Sequence, residues 1–489
     1  MVNVFALLSG FLSFAAFAPL SLWWVAPISL TILLMILQDR SILIRARLTS
    51  LYGLAFFAPL LFWSNTYVGN LPWLILTALQ TFLILPLALL PFSRSKPELY
   101  FYFPSLFTAL EALRSRFPFG GFGWGRIAFS QADSLYAGLA RWGGAPSLTF
   151  LVCTISVALI FLSQSNWRFS GFTFTFLALL TPFFLNSAIV APRNFLVLAV
   201  QGGVPELGLD FNSRAREVFE MHRSATTKYF ARNQRIQPDL VLWPENAIDV
   251  DPLKDPQVRG EMQALVDQAK VSFVVGAVLS KGSNFANVSI LWKPRVGPQS
   301  IYVKRHLTPF GEYMPLRSLS EFVSPYAKNV VDFVPSNKIV IHNVDGARMQ
   351  GARIGPIICF ELLDDGGGRE MAAKSNLLVV QTNSATFGTS AQSAQQLGIS
   401  RIRAIEHQRF IVSVATSGIS AFIDPHGRVL QESRLDEVAT LSGKVGLISE
   451  GSFSDRNGGG IEVALILLPA ALGLILRFYT RLRRSSRKF

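Results

Sequence analysis

Residues 354–365 read IGPIICFELLDD, and how they are read decides the fold of the second half of the chain. An apolar run leads into Cys359, Phe360 and Glu361, and a glycine-rich segment with helical character follows. A thiol therefore closes a strand just before a helix. The partial positive charge of a helix N-terminus there would lower its pKa and favour the thiolate. The chain has one other cysteine, Cys153, which lies in a long apolar segment. A free cysteine is most often a small buried hydrophobe. Reading Cys359 as a nucleophile needs support from elsewhere in the chain.

Half of the 489 residues are hydrophobic and 16% are charged. That is too apolar for an ordinary soluble protein of this size, so membrane spans are expected. The formal net charge of +14 points to anionic surfaces, nucleic acid in a soluble protein or anionic lipid in a membrane protein. Much of the charge flanks apolar segments, so no nucleic-acid role is expected. There is no Cys/His metal spacing, and two cysteines build no disulfide framework. Neither a metal nor a cofactor is expected. The opening MVNVFALLSG lacks the basic region of a secretory signal and reads as the start of a retained helix.

The first 190 residues form a series of apolar segments at 4–20, 22–37, 51–68, 72–92, 99–113, 145–162 and 169–190. A span takes about 20 apolar residues, so residues 1–190 read as a multi-span α-helical membrane domain with about seven spans. The first two segments are joined by FAPLSLWW, with Pro19, Trp23 and Trp24 at an interface. Arg40, Arg45 and Arg47, then Arg94 and Lys96, then Arg168 occupy alternate connections. These charges put the N-terminus in the cytoplasm and deliver the chain outside. An apolar run from 461 to about 479, followed by Arg481, Arg483, Arg484, Arg487 and Lys488, returns the C-terminus to the cytoplasm. Arg114, Arg116, Arg126 and Arg141 dissent from this bias. Arg116 and Arg126 lie within RFPFGGFGWGRIAFSQ, and Arg114 and Arg141 to either side of it; the stretch is read either as an interfacial loop or as a re-entrant one shaping a lipid-facing cavity.

From 191 to 460 the composition becomes that of a soluble domain. Short apolar runs (NFLVLAV, DLVLW, VSFVVGAVL, FANVSILW, QSIYVK, GARIGPIICF, NLLVVQT, RFIVSVAT, ISAFIDP) alternate with helix-like segments near 213–232, 255–270, 368–375 and 391–408. Strands alternating with helices indicate an α/β domain. Residues 461–489 form a closing span and a basic tail.

Three chemically distinct residues close apolar runs: Glu245 after DLVLWP, Lys304 after QSIYV and Cys359 after IGPII. In open α/β sheets such positions gather at one edge, where ligands bind. A carboxylate, an ammonium and a thiol together suit acyl transfer. The carboxylate exchanges the proton, the ammonium stabilises the oxyanion, and the thiol carries the acyl group. Taken singly, Glu245 also fits a helix N-terminal acid and Lys304 a solvated turn beside Arg305 and His306.

WPEN around Glu245, YVKRHLTPFGEYMP over 302–315 and ICFE around Cys359 resemble the three catalytic blocks of the nitrilase superfamily. With the apolar segments and the closing span, the whole chain is similar to the membrane-embedded apolipoprotein N-acyltransferases of that superfamily. The resemblance implies an α/β nitrilase-like αββα sandwich over 191–460, extracytoplasmic, in a multi-pass protein of the bacterial plasma membrane. It implies Glu245 as base, Lys304 as oxyanion stabiliser and Cys359 as nucleophile, with Glu312 and Glu361 as supporting acids. The implied donor is a phospholipid, and the implied acceptor is the α-amine of an S-diacylglyceryl-cysteine at an apolipoprotein N-terminus. The enzyme is expected to work as a monomer. Phe310, Tyr313, Phe360 and Asn383 are expected at the substrate or lid. Segment 311–335 reads as that lid, its apolar residues dipping toward lipid. Phe360 stands where many members have tyrosine, Thr386 where many have an aromatic residue, and Phe211 in the expected position of a tryptophan. A membrane-tethered nitrilase-type amidase, with water as acceptor, is the alternative. A single span would suffice for tethering, so many spans favour a lipid substrate.

Overall fold

The computed structural model describes residues 1–66, 69–93, 100–162, 194–204, 216–323, 327–328, 330–345 and 351–486. The expected segment 169–190 and Phe211 lie outside the described residues. The chain divides into two compact units. One comprises Met1–Phe62, Pro72–Ser187 and Asn457–Phe489, the other Trp63–Leu71 and Ala188–Arg456.

The first unit is helical: α1 (Val2–Ala15), α2 (Val25–Leu37), α3 (Ile42–Leu60), α4 (Asn70–Ile84), α5 (Tyr102–Arg114), α6 (Ala140–Leu162) and the C-terminal helix Phe453–Ser486. Among the described residues, Asn70–Leu89 and Ala137–Leu162 are long and apolar enough to cross a membrane. Val2–Ala15 and Val25–Leu37 are apolar but shorter. α3 carries Arg45 and Arg47 in its first half, and α5 has 13 residues and carries Glu111. Small and hydroxylated residues let the helices approach closely, as expected where lipid weakens the hydrophobic drive between helices. A Cβ on Gly10 of α1 would lie 2.2 Å from the carbonyl oxygen of Tyr52 on α3. Ser13 meets Ser29 at 2.7 Å and the Tyr52 hydroxyl at 2.9 Å.

The basic residues that dissent from the charge bias have partners inside this unit. Arg114 donates to Gln80 Oε1 at 2.6 Å and to the Gly125 carbonyl at 3.0 Å. Buried Arg126 lies 3.9 Å from Glu111 and 4.0 Å from Glu462. Arg116 pairs with Glu462 at 2.5 Å, and Arg141 stacks over Trp142.

The second unit holds two six-stranded sheets. The first contains β1 (Asn194–Gln201), β2 (Leu240–Leu242), β3 (Ser272–Lys281), β4 (Asn284–Lys293) and β5 (Gly297–Val303). The second contains β6 (His342–Val344), β7 (Ala352–Ile358), β8 (Leu377–Thr382), β9 (Ile411–Ala415), β10 (Ala421–Ile423) and β11 (Val429–Glu432). The last strand, β12 (Ala439–Gly446), returns to the first sheet and pairs antiparallel with β1 along its whole length. The strand orders are β12-β1-β2-β3-β4-β5 and β11-β10-β9-β8-β7-β6. Each sheet has three parallel strands, two antiparallel strands beyond them, and one antiparallel strand on the opposite edge. The two halves thus share one architecture although no internal repeat is visible in the sequence. β6, β11 and β12 are absent from the strands expected from sequence.

Parallel neighbours need crossover connections. Helices α7 (Glu217–Arg232) and α8 (Pro256–Ala269) serve the first sheet. A seven-residue helix, α9 (Arg317–Val323), follows β5. Helices α10 (Asp365–Lys374) and α11 (Gln392–His407) serve the second sheet. Residue alternation sorts the layers. Val197, Ala199, Leu240, Leu242 and Val274 meet Ile354, Leu377, Val379 and Val412 between the sheets. Leu198, Val200, Val241 and Phe273 point the other way, against Phe219, Met262 and Val266 of the helices. α10 packs on β7, and α11 on β9 and β10. The layers therefore run helix, sheet, sheet, helix, and the carboxyl ends of β2, β5 and β7 bring the expected trio together.

Candidate active site

Leu240–Leu242 is a short buried strand, and the chain leaves it through Trp243 and Pro244. The exit runs against β3 through hydrogen bonds from Trp243 N to Val274 O at 2.9 Å and from Ile248 N to Gly276 O at 3.0 Å. Gly276 makes this approach possible: a Cβ there would lie 2.2 Å from the Pro244 oxygen and 2.6 Å from Glu245 Cα. Glu245 is buried with both carboxylate oxygens engaged. Oε1 accepts from Asn287 Nδ2 at 2.6 Å and from Lys304 Nζ at 3.3 Å. Oε2 accepts from the backbone N–H of Asn383 at 2.8 Å.

Lys304 follows β5 and is 1% exposed. Its backbone N–H donates to Asn287 O at 2.9 Å. Its ammonium lies 2.8 Å from Glu312 Oε2 and 3.3 Å from Glu245 Oε1. Burial on its own would lower the lysine's pKa; the facing carboxylates of Glu312 and Glu245 outweigh it and hold the pKa above the ordinary value. Glu312 is fixed in turn. Its Oε1 accepts from Asn287 Nδ2 at 2.7 Å and its Oε2 from Thr308 N at 2.8 Å. One amide of Asn287 therefore spans the two carboxylates that flank the ammonium.

Cys359 directly follows β7, with a φ of 49°, a left-handed conformation unusual for a side-chain-bearing residue. It opens the 3-10 turn Cys359–Leu363. Glu361 fixes that turn. Its Oε2 accepts from Ile358 N at 2.8 Å. Its Oε1 accepts from the Tyr302 hydroxyl and Arg305 N, both at 2.7 Å, and from His306 N at 3.3 Å. One buried carboxylate thus ties the cysteine turn to the chain on both sides of Lys304. Burial raises the Glu361 pKa, opposed by its hydrogen-bond donors.

The expectation of a helix-lowered thiol pKa is corrected here. Burial and the Glu245 carboxylate push the Cys359 thiol up, and Lys304 opposes them only in part. Helix α10 begins at Asp365, and its N-terminal N–H groups meet the Asp364 carboxylate, with Gly366 N donating at 2.9 Å. Cys359 itself opens a short 3-10 turn, six residues before that helix begins. Burial and the Glu245 carboxylate favour the thiol over the thiolate.

Of the other expected residues, Asn383 reaches the site through its backbone. Its side-chain oxygen accepts from Ala385 N at 3.1 Å and from Thr416 Oγ1 at 2.9 Å. Phe360 is buried, with its ring 5.7 Å from that of His306. Phe310 is 54% exposed at a positive φ, and its N–H donates to Tyr313 O at 2.8 Å. Within 311–335, Leu316, Leu319 and Phe322 are exposed around α9. Phe333 N donates to Glu312 O at 2.7 Å, so the outer part of this loop is tied to the acid beside Lys304. Sequence reasoning missed Asn287, Thr308, Tyr302 and Gly276. The available signal for Asn287 was a polar residue inside the apolar run FANVSILW.

Two sheets between helix layers, with an acid, a lysine and a cysteine gathered at strand ends, define a nitrilase-type domain, and residues 209–448 match the family model "Carbon-nitrogen hydrolase". Residues 9–158 match "Apolipoprotein N-acyltransferase N-terminal domain". The apolipoprotein N-acyltransferase of Mycolicibacterium smegmatis is 31% identical over 477 residues, covering 89% of this chain and 79% of its own length. That of Photobacterium profundum is 26% identical over 458 residues, covering 88% and 87%. The structure of an amidase from Nesterenkonia sp. overlaps 56% of this chain and 98% of its own, at 17% identity and a TM-score of 0.40. The chain belongs to the apolipoprotein N-acyltransferase family.

Proposed function

We propose that this protein transfers an acyl chain from a phospholipid, through a thioester on Cys359, to the α-amine of the S-diacylglyceryl-cysteine at an apolipoprotein N-terminus. The observation that carries the proposal is the buried Glu245–Lys304–Glu312 cluster, tied through Glu361 to the turn that Cys359 opens. In the first half-reaction Glu245 takes the thiol proton as sulfur attacks the ester carbonyl. Lys304 stabilises the oxyanion of the tetrahedral intermediate. As the C–O bond breaks, Glu245 returns the proton to the departing glycerol oxygen and lysophospholipid leaves. In the second, the amine attacks the thioester and Glu245 accepts its proton. The C–S bond breaks and the proton passes to sulfur, restoring the thiol. Donor and acceptor use one cysteine in turn, which makes the kinetics ping-pong.

Glu312 keeps Lys304 charged, and Glu361 holds the cysteine turn to the lysine strand. Phe310, Tyr313 and the exposed Leu316, Leu319 and Phe322 belong to a lid that contacts lipid and excludes water while the thioester waits for its amine. Residues 1–190 and 461–489 form a multi-pass domain in the bacterial plasma membrane with both termini cytoplasmic, and 191–460 is the extracytoplasmic catalytic domain of a monomeric enzyme. What supports the membrane assignment is the apolar stretches Asn70–Leu89 and Ala137–Leu162 and the basic clusters at the chain's connections and end.

The test is the mass of a diacylglyceryl lipopeptide after incubation with phospholipid vesicles and the purified protein. Gain of one amide-linked acyl chain is expected. Release of free fatty acid with no gain on the lipopeptide would identify a hydrolase instead.

A further inference from the structure

Residues 63–71 join α3 to α4 in sequence, yet they fold within the second unit. Their anchor is Trp63, which is 8% exposed while its neighbour Phe62 is 55% exposed. The indole meets the Phe387 ring edge-on, with centroids 5.0 Å apart and planes at 84°. Its Nε1 donates to Gln395 Oε1, on α11, at 3.1 Å. Edge-on aromatic pairs stabilise a contact beyond the area they bury. The tryptophan thus grips both the turn Ala385–Phe387 and the helix that follows it.

That turn leads directly to the acid. Phe387 N donates to Ser384 O at 2.9 Å. Ala385 N donates to Asn383 Oδ1 at 3.1 Å. Asn383 N donates to Glu245 Oε2 at 2.8 Å. There is little slack beneath the turn: a Cβ on Gly418 would lie 2.6 Å from Ser384 Oγ and 2.9 Å from Ser393 Oγ. Packed groups therefore run without a gap from the indole, through one tight turn, to the second oxygen of the carboxylate.

We propose that Trp63 is a positioning residue for Glu245, an inference that rests on Glu245 being the general base. The α3–α4 connection holds the turn at 383–387 so that its N–H fixes the orientation of the carboxylate toward the thiol. Truncating the indole frees the turn and lets the carboxylate rotate. Catalysis suffers because proton transfer depends on alignment far finer than the loss of one side chain.

The test is single-turnover acylation of Cys359 by a phospholipid with a labelled acyl chain, using the full-length protein in detergent micelles. Wild type, Trp63→Ala, Trp63→Phe, Glu245→Gln and the Trp63→Ala/Glu245→Gln double variant are compared. Trp63→Ala is expected to slow acylation about tenfold. Trp63→Phe keeps a ring against Phe387 and recovers most of that loss. On the Glu245→Gln background, Trp63→Ala lowers the residual rate by less than about twofold, because both changes act through one carboxylate. A wild-type rate in Trp63→Ala, or a full tenfold effect persisting on Glu245→Gln, overturns the proposal. Near-normal acylation by Glu245→Gln overturns the assignment of the base instead. If Trp63→Ala reduces the yield of folded protein, Phe387→Ala removes the other half of the ring pair, and the same double-variant comparison is read in the same way.

Discussion

Lys304 and Glu312 form the closer of the two ion pairs at the site, with Nζ 2.8 Å from Oε2 against 3.3 Å to Glu245. Both residues are buried. A buried ammonium loses several kcal/mol of hydration, which only close, well-bonded carboxylates offset. In the proposed mechanism Glu312 does more than neutralise Lys304: its closer contact is expected to draw the ammonium off Glu245 and leave that carboxylate able to accept a proton. Glu312→Gln is expected to slow acylation of Cys359 by about 10²-fold or more, while Lys304 drifts toward Glu245. A single-turnover rate within about threefold of wild type would remove Glu312 from the mechanism.

The thiol carries its own pH signature. Burial and Glu245 disfavour the thiolate, so the thiolate fraction near neutral pH lies below that of a free cysteine. Alkylation of Cys359 by iodoacetamide should be slower than that of free cysteine, and should still be rising above about pH 9, past the midpoint of an ordinary thiol near pH 8.5. A plateau reached below neutral pH would mean a standing thiolate and a different proton path.

Gly276 supplies a steric test of the base's placement. Adding a methyl group there meets the Pro244 oxygen at 2.2 Å, so the strand or the Glu245 turn must shift. Gly276→Ala should cost about 1–3 kcal/mol of stability and reduce acylation by about 10²-fold. The comparison is between the thermal midpoint and the acylation rate of the same preparation. Loss of stability with an intact rate would show that Glu245 tolerates displacement.

Two buried histidines predict how stability responds to acid. Burial lowers the pKa of His222 to about 4 and that of His342 to about 3, from an ordinary 6.5. The folded protein therefore keeps both neutral while the unfolded chain binds protons below about pH 6.5. Their contribution is fully present above that pH and is lost as pH falls, by up to about 1.4 kcal/mol per histidine per pH unit. The thermal midpoint of the full-length protein should fall between about pH 6.5 and about pH 5, and His342→Gln should flatten the slope. An unchanged slope in that variant would show that His342 already titrates normally in the fold.

Much of this site is legible in the sequence because each of its three principal side chains closes an apolar run. LVL and IGPII are buried along their length, QSIYV is a half-buried edge strand, and their ends converge where the strands stack. Asn287 escaped notice because it sits inside such a run, on the face of β4 that meets the other sheet. β12 was missed because its residues 439–446 are partly polar and its partner β1 lies more than two hundred residues earlier, so the pairing is set by tertiary contact. The direction of the thiol's pKa differs from the expected one because a strand-then-helix pattern reveals neither the burial of the thiol nor the Glu245 carboxylate beside it. The partners of Arg114 and Arg116 were not legible, since Gln80 and Glu462 are distant in sequence.

The central claim is that one acyl chain passes through Cys359 on its way from phospholipid to amine. Its most direct measurement is intact-protein mass spectrometry of the full-length enzyme, first after phospholipid alone and then after a chase with diacylglyceryl lipopeptide. The mass should rise by one acyl group, mapped to the peptide containing Cys359 and released by neutral hydroxylamine. The chase should discharge it with equal gain on the lipopeptide. Transfer of the chain to lipopeptide by Cys359→Ala, or an acyl adduct that the lipopeptide cannot discharge, would contradict the account.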